Sequence, residues 1–337
     1  MIFKRKVLMT KILNIRGQLF DFSTPVVMGI LNLTPDSFYA NSRVEANKNL
    51  IQRAEEMLQA GATILDIGAF STRPGAEEVS EKEEMQRLKA GLLLLKKELP
   101  NALLSVDTYR SNVAKMCVEE FGVDIINDVS EGGITGRTNV LIEEEQQMFK
   151  TVAQLKVPYI LMSVKSDIVS MIKSFVAELN ELHALGVKDV ILDPGFGFGK
   201  DLKQNYEVLY HLEKLSVLDA PVLVGASRKS MIQQLLNVDA AHSLNGTTVV
   251  HTLALMKGAS ILRVHDVQEA VEAIKIVEKY NYAIYQLIKV NQMIRNGGKK
   301  VNWKLKNSIE NCASAIINKI EETAENKRKN EIYKMIN

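Results

Sequence analysis

The sequence predicts a (β/α)8 TIM barrel, an α/β fold, and three observations predict it. Eight short runs rich in Val, Ile and Leu read as continuously apolar, as parallel strands covered on both faces do. Stretches of helical period separate them. From Thr24 to about Tyr285 the alternation fills the length such a barrel needs, about 250 residues. A doubly wound open sheet is the structural alternative, but no Gly-x-Gly-x-x-Gly follows the first run.

Each element has its own signal. Val26–Leu31 leads to a helix over Ala46–Ala60, where Leu50, Ile51, Ala54, Met57 and Leu58 recur near the 3.6 period and Gly61 ends the helix. Thr63–Gly68 precedes a helix over Glu81–Leu99, stopped by Pro100-Asn101. Leu103–Val106 precedes Ser111–Phe121, stopped by Gly122, and Val123–Asn127 precedes Glu143–Leu155. Pro158–Met162 precedes Ile168–Leu185, stopped by Gly186, and Asp189–Asp193 precedes Asn205–Leu215. Pro221–Gly225 is followed by Arg228–Leu236 and Leu244–Met256, and Ser260–Val264 by Val267–Tyr280. The N-terminal stretch, basic with a few apolar residues, reads as a strand or arm rather than a signal peptide.

The organisation is then a barrel over residues 1–285 and a basic, largely helical C-terminal extension over 286–337. Asn296-Gly297-Gly298 marks a turn or linker, and residues 299–337 carry nine Lys/Arg against five Glu. Composition bounds the function. Forty-two Lys+Arg against forty Asp+Glu argue against a dedicated nucleic-acid or membrane-surface binder. No apolar run approaches the roughly 20 residues of a membrane span. Two cysteines, Cys117 and Cys312, supply neither a disulfide framework nor a four-thiolate metal site; they read as reduced thiols in a cytoplasmic protein.

In such barrels the chemistry gathers where the strands end. Here those ends carry Asn32, Ser71-Thr72-Arg73-Pro74, Asp107 and Arg110, Asn127-Asp128, Asp193 before a Gly-rich stretch to Lys200, Ser227-Arg228-Lys229-Ser230, and Arg263 with His265. Asp107, Asn127 and Asp193 suit a flat heterocycle with adjacent N–H donors. Arg73, Arg263, His265 and Asn32 suit a polyphosphate and its hard cation, and Lys229 is a point charge for ring or phosphate. Taken singly, Asp107 and Asp193 also read as N-caps of the following helices.

The motifs MGILNLTPDSF, STRPGA, SVDTYR, INDVS, ILDPGFGFGK, SRKSMI and RVHDV, in this order, closely resemble the dihydropteroate synthase family of the folate pathway. The resemblance covers about Thr24 to Tyr280. It implies that the chain joins 6-hydroxymethyl-7,8-dihydropterin pyrophosphate to p-aminobenzoate, with Mg²⁺, as a cytoplasmic homodimer. It implies pterin binding by Asp107, Asn127, Met162, Asp193 and Lys229, and pyrophosphate binding by Asn32, Arg73, Arg263 and His265. Asn32 is the implied metal ligand. Phe38, Thr72, Pro74, Phe198 and Ser230 are the implied p-aminobenzoate pocket, and Lys229, Asp193 and Arg73 the implied catalytic set.

Some segments depart from the family pattern. Tyr39-Ala40-Asn41-Ser42 stands where Asp-Gly-Gly is common, and Ala69-Phe70 where Gly-Glu is frequent. Ser163-Val164-Lys165-Ser166 leads almost straight into a helix where the family has a longer loop, and Glu131–Gln147 is lengthened. The same pocket is compatible with two alternatives: a catalytically impaired pterin binder, and a pterin methyltransferase domain serving a corrinoid protein.

Overall fold

Eight parallel strands form a ring. They are β3 (Val26–Asn32), β4 (Ile64–Gly68), β5 (Leu103–Asp107), β6 (Ile125–Asp128), β7 (Tyr159–Met162), β8 (Val190–Asp193), β9 (Leu223–Val224) and β10 (Ile261–Val264). Their order is β8-β7-β6-β5-β4-β3-β10-β9, and a single parallel bridge between Leu192 and Val222 joins the two ends. A computed structural model describes residues 11–33, 43–69, 79–130 and 147–295, with backbone alone at 43–47 and 288–295. The predicted α/β barrel is therefore the observed one.

Helices α1 (Arg43–Gln59), α2 (Glu81–Glu98), α3 (Ser111–Phe121), α4 (Gln147–Leu155), α5 (Ile168–Ala184), α6 (Leu202–Tyr210), α7 (Ser230–Leu236) and α8 (Leu244–Met256) alternate with the strands. The chain divides into residues 1–274 and 275–337, and α9 (Val267–Arg295) runs across that division. Three elements differ from expectation. The helix expected over Asn205–Leu215 ends at Tyr210, where a 3-10 segment, Leu212–Leu218, takes over. The run Pro221–Gly225 pairs fully only at Leu223 and Val224. The last helix continues to Arg295, past Tyr280. Residues 131–146 of the long Glu131–Gln147 stretch and most of the predicted extension lie outside the described residues.

Period-two alternation divides each strand between two cores. One residue faces the helices, such as Leu65, Leu104, Ile126, Leu161 and Leu262, all buried. The next faces the barrel interior, and there Met28, Ile64, Ile125, Ile160, Ile191, Leu223 and Ile261 cluster into a layer. Two residues further along, the same inward face changes character: Ile64 gives way to Asp66, Ile125 to Asn127, Ile191 to Asp193 and Ile261 to Arg263. The sequence thus builds an apolar floor and a polar storey above it.

The floor is closed from below by an N-terminal hairpin, β1 (Ile12–Ile15) and β2 (Gln18–Asp21). Its two-residue turn puts Arg16 and Gly17 at φ 54° and 75°, the conformation that matches strand twist. Leu13, Ile15 and Phe22 insert into the apolar layer, with Phe20 packed against it. Arg16 grips Asp124 with Nε (2.5 Å) and Nη2 (2.8 Å) and donates to the Ala102 carbonyl (2.6 Å). Lys11 Nζ reaches Ser260 Oγ at 2.8 Å, and the Asn14 N–H reaches Asp189 Oδ1 at 2.7 Å. The hairpin is therefore a plug; of the N-terminal stretch expected as a strand or arm, residues 11–14 belong to it and residues 1–10 lie outside the described residues.

Candidate active site

The polar storey lies at the C-terminal ends of the strands. Asp107 and Asn127 sit across from each other on β5 and β6, and Met162 and Asp193 on β7 and β8. All four are buried. Arg263, on β10, donates from Nε to Asp66 Oδ2 and from Nη2 to Asp107 Oδ2, both at 2.6 Å. Asn127 Nδ2 donates to the same Asp66 Oδ2 at 3.0 Å. One guanidinium and one amide thus tie these strands together over the apolar floor.

This network is incomplete. Asp66 Oδ1, Asp107 Oδ1 and Asn127 Oδ1 are buried and have no hydrogen-bond partner among the described residues, and Ser105 Oγ, on the strand beside Asp66, also lacks one there. Buried acceptors left this way are unfavourable by about 1–3 kcal/mol each. Burial pushes the Asp107 carboxyl up to about 7 against the pull of Arg263. Burial also raises Asp193, opposed by the Gly195 N–H, Lys229 and Arg263. Burial works against the charge of Arg263, but Asp66, Asp107 and Asp193 hold it protonated beyond the usual arginine range. The arrangement favours a ligand that brings N–H donors.

Neither aspartate caps a helix. The N-cap of α3 is Arg110, without a side-chain cap bond, and that of α6 is Asp201. Instead Asp193 Oδ1 accepts from the Gly195 N–H at 2.8 Å. Thr108 and Arg110, just past Asp107, both bind the buried Glu84 of α2 and so hold the end of β5.

The Gly-rich stretch after Asp193 is folded tightly over the rim. A Cβ on Gly195 would lie 2.2 Å from the Ser163 carbonyl oxygen, and both Gly195 and Gly199 have positive φ, so only glycine fits there. Lys200 Nζ donates to the carbonyls of Ser163, Gly195 and Phe198 at 2.9–3.1 Å. Phe196 is buried, whereas Phe198 is half-buried with Lys229 Nζ 4.3 Å from its ring centroid.

Lys229 owes its direction to its neighbour. Arg228 sits at φ 52°, a strained value for a non-glycine, and its guanidinium forks onto Asp266 at 2.8 and 2.9 Å. That fork joins the segment after β9 to the one after β10. Alongside it, Ser227 Oγ accepts from the His265 N–H and lies 3.0 Å from His265 Nδ1, orienting the imidazole.

The structure therefore gathers Asp107, Asn127, Met162, Asp193, Lys229, Phe198, Arg263 and His265 at one mouth. Asn32, at the end of β3, is exposed, as is Ser230, the first residue of α7. Phe38, Thr72, Arg73 and Pro74 lie outside the described residues. Arg263, grouped in the sequence with the pyrophosphate set, is bound to Asp66 and Asp107. Asp66 stands outside the strand-end set that the sequence picks out; a charge inside the apolar run Thr63–Gly68 is its available signal.

Comparison with known proteins places these features. The family model described as pterin binding enzyme matches residues 28–265. A second, for CRISPR-associated protein Csx8, matches 230–336, under a third of the chain, and shares residues 230–265 with the first. Dihydropteroate synthase of Escherichia coli K12 is 37% identical over 278 residues, 78% of this chain and 94% of that protein. A Yersinia pestis dihydropteroate synthase solved with a sulfonamide drug is 38% identical with a TM-score of 0.69, over 80% of this chain and 99% of that one. A Xanthomonas albilineans dihydropteroate synthase solved with 4-aminobenzoic acid is 32% identical with a TM-score of 0.70, over 81% and 98%.

Proposed function

We infer the roles of the mouth residues from one premise: this chain belongs to the dihydropteroate synthase family of pterin-binding enzymes. It is a transferase of folate biosynthesis, joining 6-hydroxymethyl-7,8-dihydropterin pyrophosphate to p-aminobenzoate and releasing 7,8-dihydropteroate and pyrophosphate. One observation carries the assignment of the site: a buried polar storey whose acceptor oxygens lack donors among the described residues, on the inward face of strands that are otherwise apolar.

Asp107, Asn127, Asp193 and Lys229 hold the pterin, whose edge of adjacent N–H groups meets those oxygens, and Met162 lines the ring. His265 and the Nη1 end of Arg263 face the pyrophosphate, with Arg73 and Asn32. Phe198, Ser230, Phe38, Thr72 and Pro74 form the p-aminobenzoate pocket. The arylamine lone pair attacks the pterin methylene. A C–N bond forms, the C–O bond breaks, its electrons leave with pyrophosphate, and the amine proton passes to solvent. Asp193 and Asp107 favour the positive character of the methylene, and Lys229, His265 and Arg263 favour the departing anion. Positioning two substrates supplies most of the rest.

Among the described residues no group of three or more His, Cys, Asp or Glu side chains can hold a metal. Asn32 would offer one oxygen to a Mg²⁺, a hard cation that one protein oxygen suits when a polyphosphate is also bound. When bound, it neutralises leaving-group charge. The chain also works as a cytoplasmic homodimer in this reading. The exposed stripe Val249, Leu253 and Met256 on α8 supports self-association, and sedimentation at micromolar concentration checks it.

The test of the function is direct. Protein, pterin pyrophosphate, p-aminobenzoate and Mg²⁺ are mixed, and pyrophosphate and dihydropteroate are followed together. Equal amounts of both, lost when metal or aminobenzoate is omitted and suppressed competitively by a sulfonamide, are expected. Tight pterin binding without product would instead mark an impaired binder.

A further inference from the structure

We propose that Asp66 is the specificity-determining positioning residue of the pterin pocket. The proposal rests on the assignment of this mouth to the pterin. Asp66 is fully buried in the middle of β4 and faces the barrel interior. Its Oδ2 receives two donors, Arg263 Nε at 2.6 Å and Asn127 Nδ2 at 3.0 Å. A carboxylate paired with arginine only accepts. Asn127 must therefore turn its NH₂ toward Asp66, and its carbonyl Oδ1 is left buried without a donor among the described residues. The same carboxylate holds Arg263 so that Nη2 reaches Asp107 Oδ2, which leaves Asp107 Oδ1 buried without a donor among the described residues.

The outcome is a wall of three acceptors, Asp66 Oδ1, Asp107 Oδ1 and Asn127 Oδ1, all buried and all lacking a donor among the described residues. An asparagine amide free to rotate would offer a donor or an acceptor indifferently. Asp66 removes that choice. The wall then accepts a ring edge that presents N–H groups and rejects one that presents a carbonyl, because two buried acceptors would face each other without a proton. A 2-amino-4-oxopteridine fits and its 2,4-dioxo counterpart does not.

The experiment measures binding by calorimetry of 6-hydroxymethylpterin and 6-hydroxymethyllumazine, in which oxygen replaces the 2-amino group. Asp66→Asn keeps one oxygen for Arg263 and Asn127 but turns the other atom into a donor. The expected result is about tenfold or greater loss of pterin affinity, and a fall of at least about tenfold in the preference for pterin over lumazine. Equal weakening of both ligands, or no change in the ratio, overturns the proposal. Failure of the unsubstituted protein to bind the pterin overturns the functional reading instead. If Asp66→Asn does not fold, the Asn127 side-chain amide is followed by NMR in the unsubstituted protein. Its NH₂ stays bonded to Asp66 and slow to exchange with and without pterin if the proposal holds; transfer of that NH₂ to the ligand overturns it.

Discussion

Asp124 and Asp107 are both buried carboxylates at strand ends, one at each end of the barrel, and the fold treats them oppositely. Asp124, just before β6, accepts from Arg16 through both oxygens and from the Leu104 N–H. Asp107, closing β5, has one oxygen on Arg263 and the other without a donor among the described residues. The lower end, plugged by the hairpin, satisfies its buried charges from within the chain. The upper end leaves acceptors waiting. Such a deficit is unfavourable to folding, and at the upper end it is concentrated on three neighbouring strands, which is what sets the two ends apart.

Substitutions at the two ends should split cleanly. The largest effect belongs to the upper end: Lys229→Ala or Asp193→Asn lowers turnover by about 100-fold or more with little change in the unfolding midpoint. Near-normal turnover from either would break the comparison. At the lower end Phe22→Ala does the reverse. It removes a fully buried ring from the plug and destabilises by about 3–5 kcal/mol in denaturant titration, while kcat of the folded enzyme stays close to the parent's. A large loss of kcat there would show that the floor also tunes the site.

The third and smallest effect sharpens the comparison by lying at neither end. His251 in α8 is buried, its Nε2 has no partner among the described residues, and burial lowers its pKa to about 4 against the pull of Asp266. The native state keeps it neutral, whereas the unfolded chain takes up a proton below about 6.5. Stability from this group is therefore full above that value and declines as pH falls toward 4, by up to the order of 3 kcal/mol. His251→Phe should flatten that slope in urea titrations at several pH values. An unchanged slope would show that the acid sensitivity arises elsewhere.

Much of this is legible in the sequence. Each parallel strand announces itself by a run of Val, Ile and Leu, and the helix stops fall at Gly61, Gly122 and Gly186 as expected. Asp107, Asn127 and Asp193 are visible because they close apolar runs. Asp66 is not, since it stands in mid-strand, and its importance comes from Arg263, 197 residues away. The plug is hidden for a similar reason: two four-residue strands carry little periodic signal, and their apolar face gains meaning only against the barrel floor. The sequence pattern starts a helix at Arg228, yet that residue is left-handed and the helix begins at Ser230; its backbone depends on Asp266, a partner that local propensity does not report.

The ring is stitched unevenly. Where β3 meets β4 the ladder runs from Met28 to Asn32, yet β8 meets β9 through one rung, Leu192 to Val222. Hydrogen exchange in deuterated solvent should begin at that seam, as in a zip with its last tooth worn. Asp193 stands on one lip of it and Lys229 follows the other. A breath of the barrel at this suture would change the span between the Asp193 carboxylate and the Lys229 ammonium. The mouth of the barrel is therefore least firmly held on the side where these two side chains stand.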